Sequence, residues 1–317
     1  MSKTGLPDEV EGANEPRSAN IRYDTNEPQD SIEPHSTAEH CELQPQSEVF
    51  ARLGKLALVG GGKMGEAIIA GLVQGAGLDP SALEVAEPGE ERRAWLSSSY
   101  GVTCVADAAL ITNAQTALFA VKPQAFRQVA AHLAAVASFA PERVISIAAG
   151  ITTKVIAEFF PHAQIVRVMP NVPLVVSAGM SVVAVGAHTE KAEGELVVAL
   201  FALMGEALLL PEDKLNAATA LSGSGPAYFA LLTEELARAG EHIGLSQEQA
   251  EQLALQTLIG TAQQLQRSKE SPEELRRAVT SPGGTTQAAL ESFAAGGFAQ
   301  IVEQAVKAAY HRAGELA

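Results

Sequence analysis

KLALVGGGKMGEAI (residues 55–68) decides the fold of this chain. Lys55 to Gly60 is a short apolar run ending in glycine, the pattern of a buried strand. From Lys63 onward, Met64, Ala67, Ile68 and Leu72 recur at helical spacing. Between them, Gly60, Gly62 and Gly65 fit G-x-G-x-x-G. The first glycine of that pattern permits a tight turn, the second lets a pyrophosphate reach the backbone, and the third lets the helix pack close to the strand. The free N–H groups and partial positive charge of the helix start then favour phosphate. Strand, glycine turn and helix in this order predict a dinucleotide site on the turn of Gly60, Gly62 and Gly65.

The strand–helix alternation continues outward. ALEVAE (82–87), 102–105, TALFAVK (116–122), RVISIAAG (143–150), QIVRVMP (164–170) and MSVVAVG (180–186) read as strands. Helices are predicted over 89–99 and from Pro123 to about residue 137. Such alternation implies parallel pairing through right-handed crossovers, an α/β doubly wound sheet of the Rossmann type. Ligands of such sheets lie beyond the carboxyl ends of the strands. The turns carrying Ala120, Val121, Lys122 and Pro123, and Ala148, Ala149 and Gly150, are therefore expected to line the nicotinamide half of the cleft, and Pro170–Pro173 to fix the same rim. Glu87 ends the second strand, where an acidic residue commonly binds the adenosine ribose and favours NAD. Arg92 and Arg93, one turn on, either bind the 2′-phosphate of NADP or form a solvated helix face. The choice between NADPH and NADH stays open.

After about residue 212 strand signals stop and helical patterns take over. Pro226 opens PAYFALLTEELARAGEHI (226–243); Ser246 with Gln249 forms a capping box for 246–267; Ser271-Pro272-Glu273-Glu274 repeats the start signal. Ala250, Ala254, Thr257, Gly260 and Thr261 place small residues along one region of the second long helix, where another helix can approach closely. The apolar surface of this half exceeds what one subunit can cover. The expected organisation is a disordered acidic tail over 1–52, a dinucleotide-binding domain over 53–211, and a helical dimerisation and substrate-binding domain over 212–317.

Composition bounds the function. The 317 residues carry a net charge of −15, which argues against a basic nucleic-acid footprint. The first 50 residues hold 11 acidic and 3 basic side chains, with few large apolar ones and no period, so they cannot offset their ordering entropy. That tail reads as an interaction or solubility tail, or as a poorly constrained extension. Cys41 and Cys104 make no disulfide framework, which fits a reducing cytosol. The seven histidines are scattered without metal-ligand spacing, so no metal site is expected. No apolar run approaches a membrane span, and no signal core or transit pattern opens the chain.

Taken in order, VGGGKMGEAI, FAVKPQ, ISIAAGI, RVMPNVP, SAGMS, LSGSGPAY and SPGGTT resemble pyrroline-5-carboxylate reductase over about residues 55–314. The resemblance implies reduction of the cyclic imine L-1-pyrroline-5-carboxylate to L-proline with NADPH or NADH, the last step of proline biosynthesis, by a cytoplasmic homodimer that assembles into larger rings. It puts the pyrophosphate on Val59–Met64, the ribose and nicotinamide on Ala120–Pro123 and Ala148–Gly150, and the substrate on Ser281, Gly283, Gly284, Thr285 and Thr286. Two positions depart from the family's pattern. Glu87 stands where members that prefer NADPH often have serine or a basic residue, and Leu275-Arg276-Arg277 stands where Leu-Lys-Asp is common.

SPGGTT (281–286) precedes the amphipathic QAALESF. Pro282 stiffens the approach, and the glycines clear space for a ligand. Backbone N–H groups and two hydroxyls then face one small volume, a site for a carboxylate. Thr286 is the candidate partner of the imine nitrogen. A threonine hydroxyl is a poor acid, so its expected role is to orient or relay a proton. SGSGPAY (222–228) reads equally as a wall beside the nicotinamide and as a tight entry into a long helix. Two other functions compete. A β-hydroxyacid dehydrogenase would need a lysine in the helical half, for which Lys191 and Lys214 lie in polar stretches without a matching motif. A non-enzymatic dinucleotide sensor would have no need of SPGGTT.

Overall fold

The computed structural model describes residues 45–316. The order of elements is α1 (Gln46–Leu53), β1 (Leu56–Val59), α2 (Lys63–Ala70), β2 (Leu83–Ala86), α3 (Glu90–Tyr100), β3 (Thr103–Val105), β4 (Thr116–Phe119), α4 (Pro123–Ala134), β5 (Arg143–Ser146), α5 (Thr153–Phe159), β6 (Gln164–Met169), β7 (Gly179–Val185), α6 (Lys191–Ala202) and β8 (Gly205–Leu209). Helices alone follow: α7 (Leu215–Ala218), α8 (Gly225–His242), α9 (Gln247–Ser268), α10 (Pro272–Ala278), α11 (Thr285–Ala295) and α12 (Phe298–Glu315). The expected class holds: a doubly wound α/β half, then an all-helical half.

The strands form one sheet in the order β3-β2-β1-β4-β5-β6-β7-β8. β1, β4 and β5 are buried along their whole length, as strands covered on both faces must be. Successive residues feed opposite cores. Leu56 and Leu58 join Ile68 and Ile69 of α2 and Leu196 and Leu200 of α6. Ala57 and Val59 join Phe126, Ala130 and Leu133 of α4 and Ile156 of α5.

Three features differ from the sequence reading. β7 runs antiparallel to β6, not parallel. Only residues 170–178 separate them, and a parallel crossover needs about a dozen residues or more. β8, parallel to β7, was not expected as a strand. It is a half-exposed edge, and its Glu-Ala-Leu-Leu composition continues the helical pattern of α6. Third, the acidic tail expected over 1–52 is overturned at its end, where Gln46–Leu53 is helical. One i,i+4 pair, Val49 and Leu53, is fully buried there, too short a signal to register as a period. The Leu53 carbonyl accepts from Thr116 Oγ1 at 2.8 Å, and Thr116 Oγ1 accepts from Arg143 Nη1 at 2.8 Å. Arg143, nearly buried, is ion-paired with Glu193 of α6. The rest of the tail lies outside the described residues.

In the helical half both expected capping boxes are present, Ser246/Gln249 on α9 and Ser271/Glu274 on α10. Among described residues 212–316, only Leu215, Ala220, Gly225, Ala237, Ala250, Leu275 and Ala313 are buried. Ala250 packs under Gly240 of α8, whereas Thr257, Gly260 and Thr261 remain exposed. Phe229, Leu231, Leu253 and Ile301 are each more than half exposed. One chain does not cover this surface.

Candidate active site

The cofactor residues named from sequence stand in one row. In the sheet Val59 pairs with Ala86 and with Phe119, and Phe119 pairs with Ser146. The turns that leave these four strand ends, at 60–63, 87–89, 120–123 and 147–150, therefore share one rim. Gly60 donates to Ala86 O at 2.9 Å, Ala120 to Val59 O at 2.8 Å, and Ile147 to Phe119 O at 3.0 Å, which locks the row.

The three motif glycines separate by physical role. Gly60 has φ +109°, which side-chain-bearing residues rarely adopt. A Cβ on Gly65 would stand 2.1 Å from Gly60 O, so α2 rests directly on the turn. A Cβ on Gly62 would meet nothing within 4 Å, so the space in front of it is open. The amides of Gly62, Lys63, Met64 and Gly65 donate to no backbone carbonyl among the described bonds, as expected of a helix start. Gly62 and Lys63 are exposed. Open space beside free donors fits a dinucleotide pyrophosphate.

Glu87 and the two arginines hold this turn, which their sequence positions did not reveal. Glu87 Oε2 accepts from Gly61 N–H at 3.0 Å and Oε1 from Gly89 N–H at 2.9 Å. Arg92 donates through Nε to Gly61 O at 2.7 Å, is ion-paired with Glu66 of α2, and lies over the Trp95 ring at 4.7 Å. Gly61 is thus gripped at both its amide and its carbonyl. Tyr100 donates to Glu66 at 3.2 Å; burial, with Glu66 beside it, pushes the phenol up, so the proton stays to make that bond. Arg93 caps the carbonyls of Glu87 and Pro88 at 2.9 and 2.7 Å. Neither arginine forms the merely solvated face that was the plainer sequence reading.

At the other end of the rim, Asn171 joins the two halves. Its Nδ2 donates to Ser222 O at 3.0 Å, and its Oδ1 accepts from Met180 N–H at 2.8 Å. A Cβ on Gly223 would lie 2.9 Å from Met169 Cε, so Ser222 and Gly223 sit against the end of β6. They belong to a π turn, Thr219–Gly223, that leads into α8. Both sequence readings of SGSGPAY, rim wall and helix entry, are compatible with this position. A groove of ≈ 1260 Å³ opens from here between α8 and α9, lined by Asn171, Met180, Leu221, Phe229, Leu255 and Leu258 among others.

SPGGTT forms the expected start of α11. Gly284 N–H donates to Ser281 O at 3.0 Å and Gly283 N–H to Gln287 Oε1 at 2.7 Å; Gly283 has φ +70°. The need for glycine at 284 is internal, since a Cβ there would stand 2.4 Å from Ser281 Oγ. Thr285 is exposed and Thr286 half-buried. Apart from the bonds within α11 itself, the hydrogen bonds of 281–286 among the described residues stay within the turn and the first turn of α11. None ties it to the row of strand-end turns. Arg277, at the departure from the family pattern, is ion-paired at 2.7 Å with Glu273 on its own helix.

Glu212 was missed by the sequence reading. Its carboxylate accepts from Thr153 N–H at 2.8 Å, from Thr153 Oγ1 at 2.6 Å and from Arg167 Nη1 at 3.2 Å. A lone glutamate in a polar connection carries no sequence signal. The buried arginine in the β6 run, Arg167, was the available one.

The comparisons agree in both halves. A family model described as pyrroline-5-carboxylate reductase dimerisation matches residues 212–316. One described as NADP oxidoreductase coenzyme F420-dependent matches residues 55–150. A pyrroline-5-carboxylate reductase of Pseudomonas aeruginosa is 40% identical over 267 residues, covering 83% of this chain and 97% of the relative. The structure of the Coxiella burnetii pyrroline-5-carboxylate reductase superposes with a TM-score of 0.77 at 34% identity, over 84% of this chain and 99% of that one. The Plasmodium falciparum pyrroline carboxylate reductase with NADP bound superposes at 0.73 and 28% identity, over 83% and 98%. Fold, ordered motifs and relatives together place the chain in the pyrroline-5-carboxylate reductase family.

Proposed function

We propose that this chain reduces L-1-pyrroline-5-carboxylate to L-proline with NAD(P)H, with the pyrophosphate on the 60–64 turn and the imine carboxylate on the 281–286 turn. The observation that carries the cofactor site is the contrast between open Gly62 and closed Gly65 on one glycine turn. Bound on the strand-end rim, the reduced nicotinamide supplies a hydride. Gly62, Lys63 and Met64 hold phosphate through helix-start amides, and Lys63 adds a charge. The turns Ala120–Pro123 and Ala148–Gly150 bind the ribose and nicotinamide, and Glu87 faces the adenosine ribose.

The remaining work belongs to the substrate turn. The free amides at the start of α11, with the Ser281 and Thr285 hydroxyls, hold the carboxylate. Thr286 Oγ1 orients the ring nitrogen and relays its proton from water, because its own acidity is too weak for direct donation. Holding imine and nicotinamide in line supplies up to ~7–11 kcal/mol of the barrier reduction in well-aligned cases. Steady-state assay of pyrroline-5-carboxylate with NADH and NADPH in parallel tests the function. Turnover of a hydroxyacid instead, or cofactor binding without imine reduction, overturns it.

The dimerisation match and the bare apolar face of α8, α9 and α12 support a homo-oligomer. We propose a homodimer as the unit and rings of dimers as the assembly; light scattering after gel filtration gives both sizes. Pairing across this face is the step that can bring a turn 281–286 onto a cofactor rim. The proposed division, 46–211 for the dinucleotide half with α1 included and 212–317 for the helical half, rests on the burial of Val49 and Leu53, the end of strands at Leu209 and the start of the matched segment at 212. Limited proteolysis between Leu209 and Leu215 checks it. No helix among the described residues is long and apolar enough to cross a membrane. A cytoplasmic location is proposed from the NAD(P)H-dependent biosynthetic step, and fractionation tests it.

A further inference from the structure

We propose that Glu212 is a positioning residue: it fixes the 148–150 turn of the cofactor rim to the joint between the two halves. Glu212 stands just after β8, where the chain leaves the sheet for the helices. Thr153, which it grips by both amide and hydroxyl, is the first residue of α5 and ends the segment that leaves β5. Between them lies Ile147–Thr152, which carries Ala148, Ala149 and Gly150.

The near end of that segment is held by the sheet, through Ile147 N–H to Phe119 O and Ala148 N–H to Ser146 Oγ at 3.3 Å. In the middle, the amides of Ala149 and Gly150 make no hydrogen bond among those described, and Gly150 has φ +75°. The far end is held by Thr152, which caps α5 through Val155 N–H, and by the Thr153–Glu212 pair. Among the described hydrogen bonds, Glu212 is the one far-end partner that comes from outside the loop and its helix.

The same carboxylate is the ion-pair partner of Arg167, whose side chain is 5% exposed inside the sheet next to β5. A guanidinium so enclosed needs a paired anion nearby, which restricts where Glu212 can go. Arg167 thus fixes Glu212, Glu212 fixes Thr153, and Thr153 fixes the end of the loop that meets the nicotinamide ribose. One carboxylate thus ties the start of the helical half to the cofactor rim.

This inference rests on the proposed cofactor rim, but not on the identity of the imine. Its test is therefore the dissociation constant for NADH, read from nicotinamide fluorescence without imine present. Glu212→Ala is expected to weaken NADH at least about tenfold, as loss of one or two charge-assisted hydrogen bonds implies. Glu212→Gln can still accept from the Thr153 amide and donate to its hydroxyl. It leaves Arg167 without its anion, so NADH binding is expected between that of Glu212→Ala and that of wild type. In turnover, Glu212→Ala should raise KM for the cofactor more than it lowers kcat at saturating cofactor. Thr153→Val removes one of the same bonds without leaving Arg167 unpaired. It is expected to weaken NADH about threefold and serves where Glu212→Ala does not fold. Wild-type NADH affinity in folded Glu212→Ala, or in Thr153→Val, overturns the proposal. A wild-type chain that binds NADH yet fails to reduce the imine overturns the proposed reaction and leaves this test intact.

Discussion

Replacing Gly62 and Gly65 by alanine, one at a time, should separate ligand space from packing space within one turn. At Gly65 the new Cβ would stand 2.1 Å from Gly60 O, where real carbon atoms keep about 3 Å or more. The first turn of α2 must back away from β1 by roughly 1 Å, and overpacking of this kind costs about 1–3 kcal/mol. At Gly62 the new Cβ meets no protein atom within 4 Å, and φ −68°, ψ −171° suits alanine. Only the weaker helix-capping preference of alanine opposes it, within ~1 kcal/mol. That methyl instead occupies the approach of the pyrophosphate. Loss of one charge-assisted N–H bond, ~1.5–3 kcal/mol, weakens NADH by roughly tenfold to a hundredfold. Thermal unfolding and NADH fluorescence titration read the two effects separately. The expected pattern is a lowered midpoint for Gly65→Ala, and a near-wild-type midpoint with poor NADH binding for Gly62→Ala. Wild-type NADH affinity in Gly62→Ala would refute the reasoning, because the open space would then not be the pyrophosphate's.

Thr286→Ala should lower kcat about fivefold to thirtyfold while NADH affinity stays within twofold, since one oriented hydrogen bond at the reacting nitrogen is worth ~1–2 kcal/mol; an unaltered kcat removes Thr286 from the mechanism. Glu87→Ser removes a carboxylate from the ribose edge of the rim and should raise the NADPH-to-NADH ratio of kcat/KM roughly tenfold, the effect of about 1.4 kcal/mol of relieved repulsion. A ratio that does not move would show that Glu87 only braces Gly61 and Gly89. Phe229→Asp puts a charge on a residue that is 60% exposed in the single chain, so folding of the subunit should survive while the proposed dimer dissociates. Sedimentation velocity that still shows a dimer at micromolar concentration places the interface elsewhere.

Much of the fold was legible because it rests on local signals. The KLALVGGGKMG stretch combines a buried strand, a turn with one position at positive φ and a helix start, each readable within a few residues. Both capping boxes were readable for the same reason. β8 was not, since an edge strand covered on one side uses the same alanine and leucine as a helix. α1 was not, since its stability comes from burying Val49 and Leu53 under a sheet assembled far along the chain. For Arg92 the sequence offered a choice between phosphate binding and solvent, and the structure added a third role, the grip on Gly61.

By itself, then, the sequence determined the strand–glycine turn–helix unit, the α/β-then-helical order and the shape of the SPGGTT helix start, because these depend on backbone preference and periodicity over short windows. Tertiary structure alone decided that β7 turns back against β6, that Arg92 grips Gly61, and that Glu212 reaches both Arg167 and Thr153. Those outcomes depend on which distant segments are brought into register, and hydrogen bonds across 45 and 59 residues of chain leave no periodic mark on either partner.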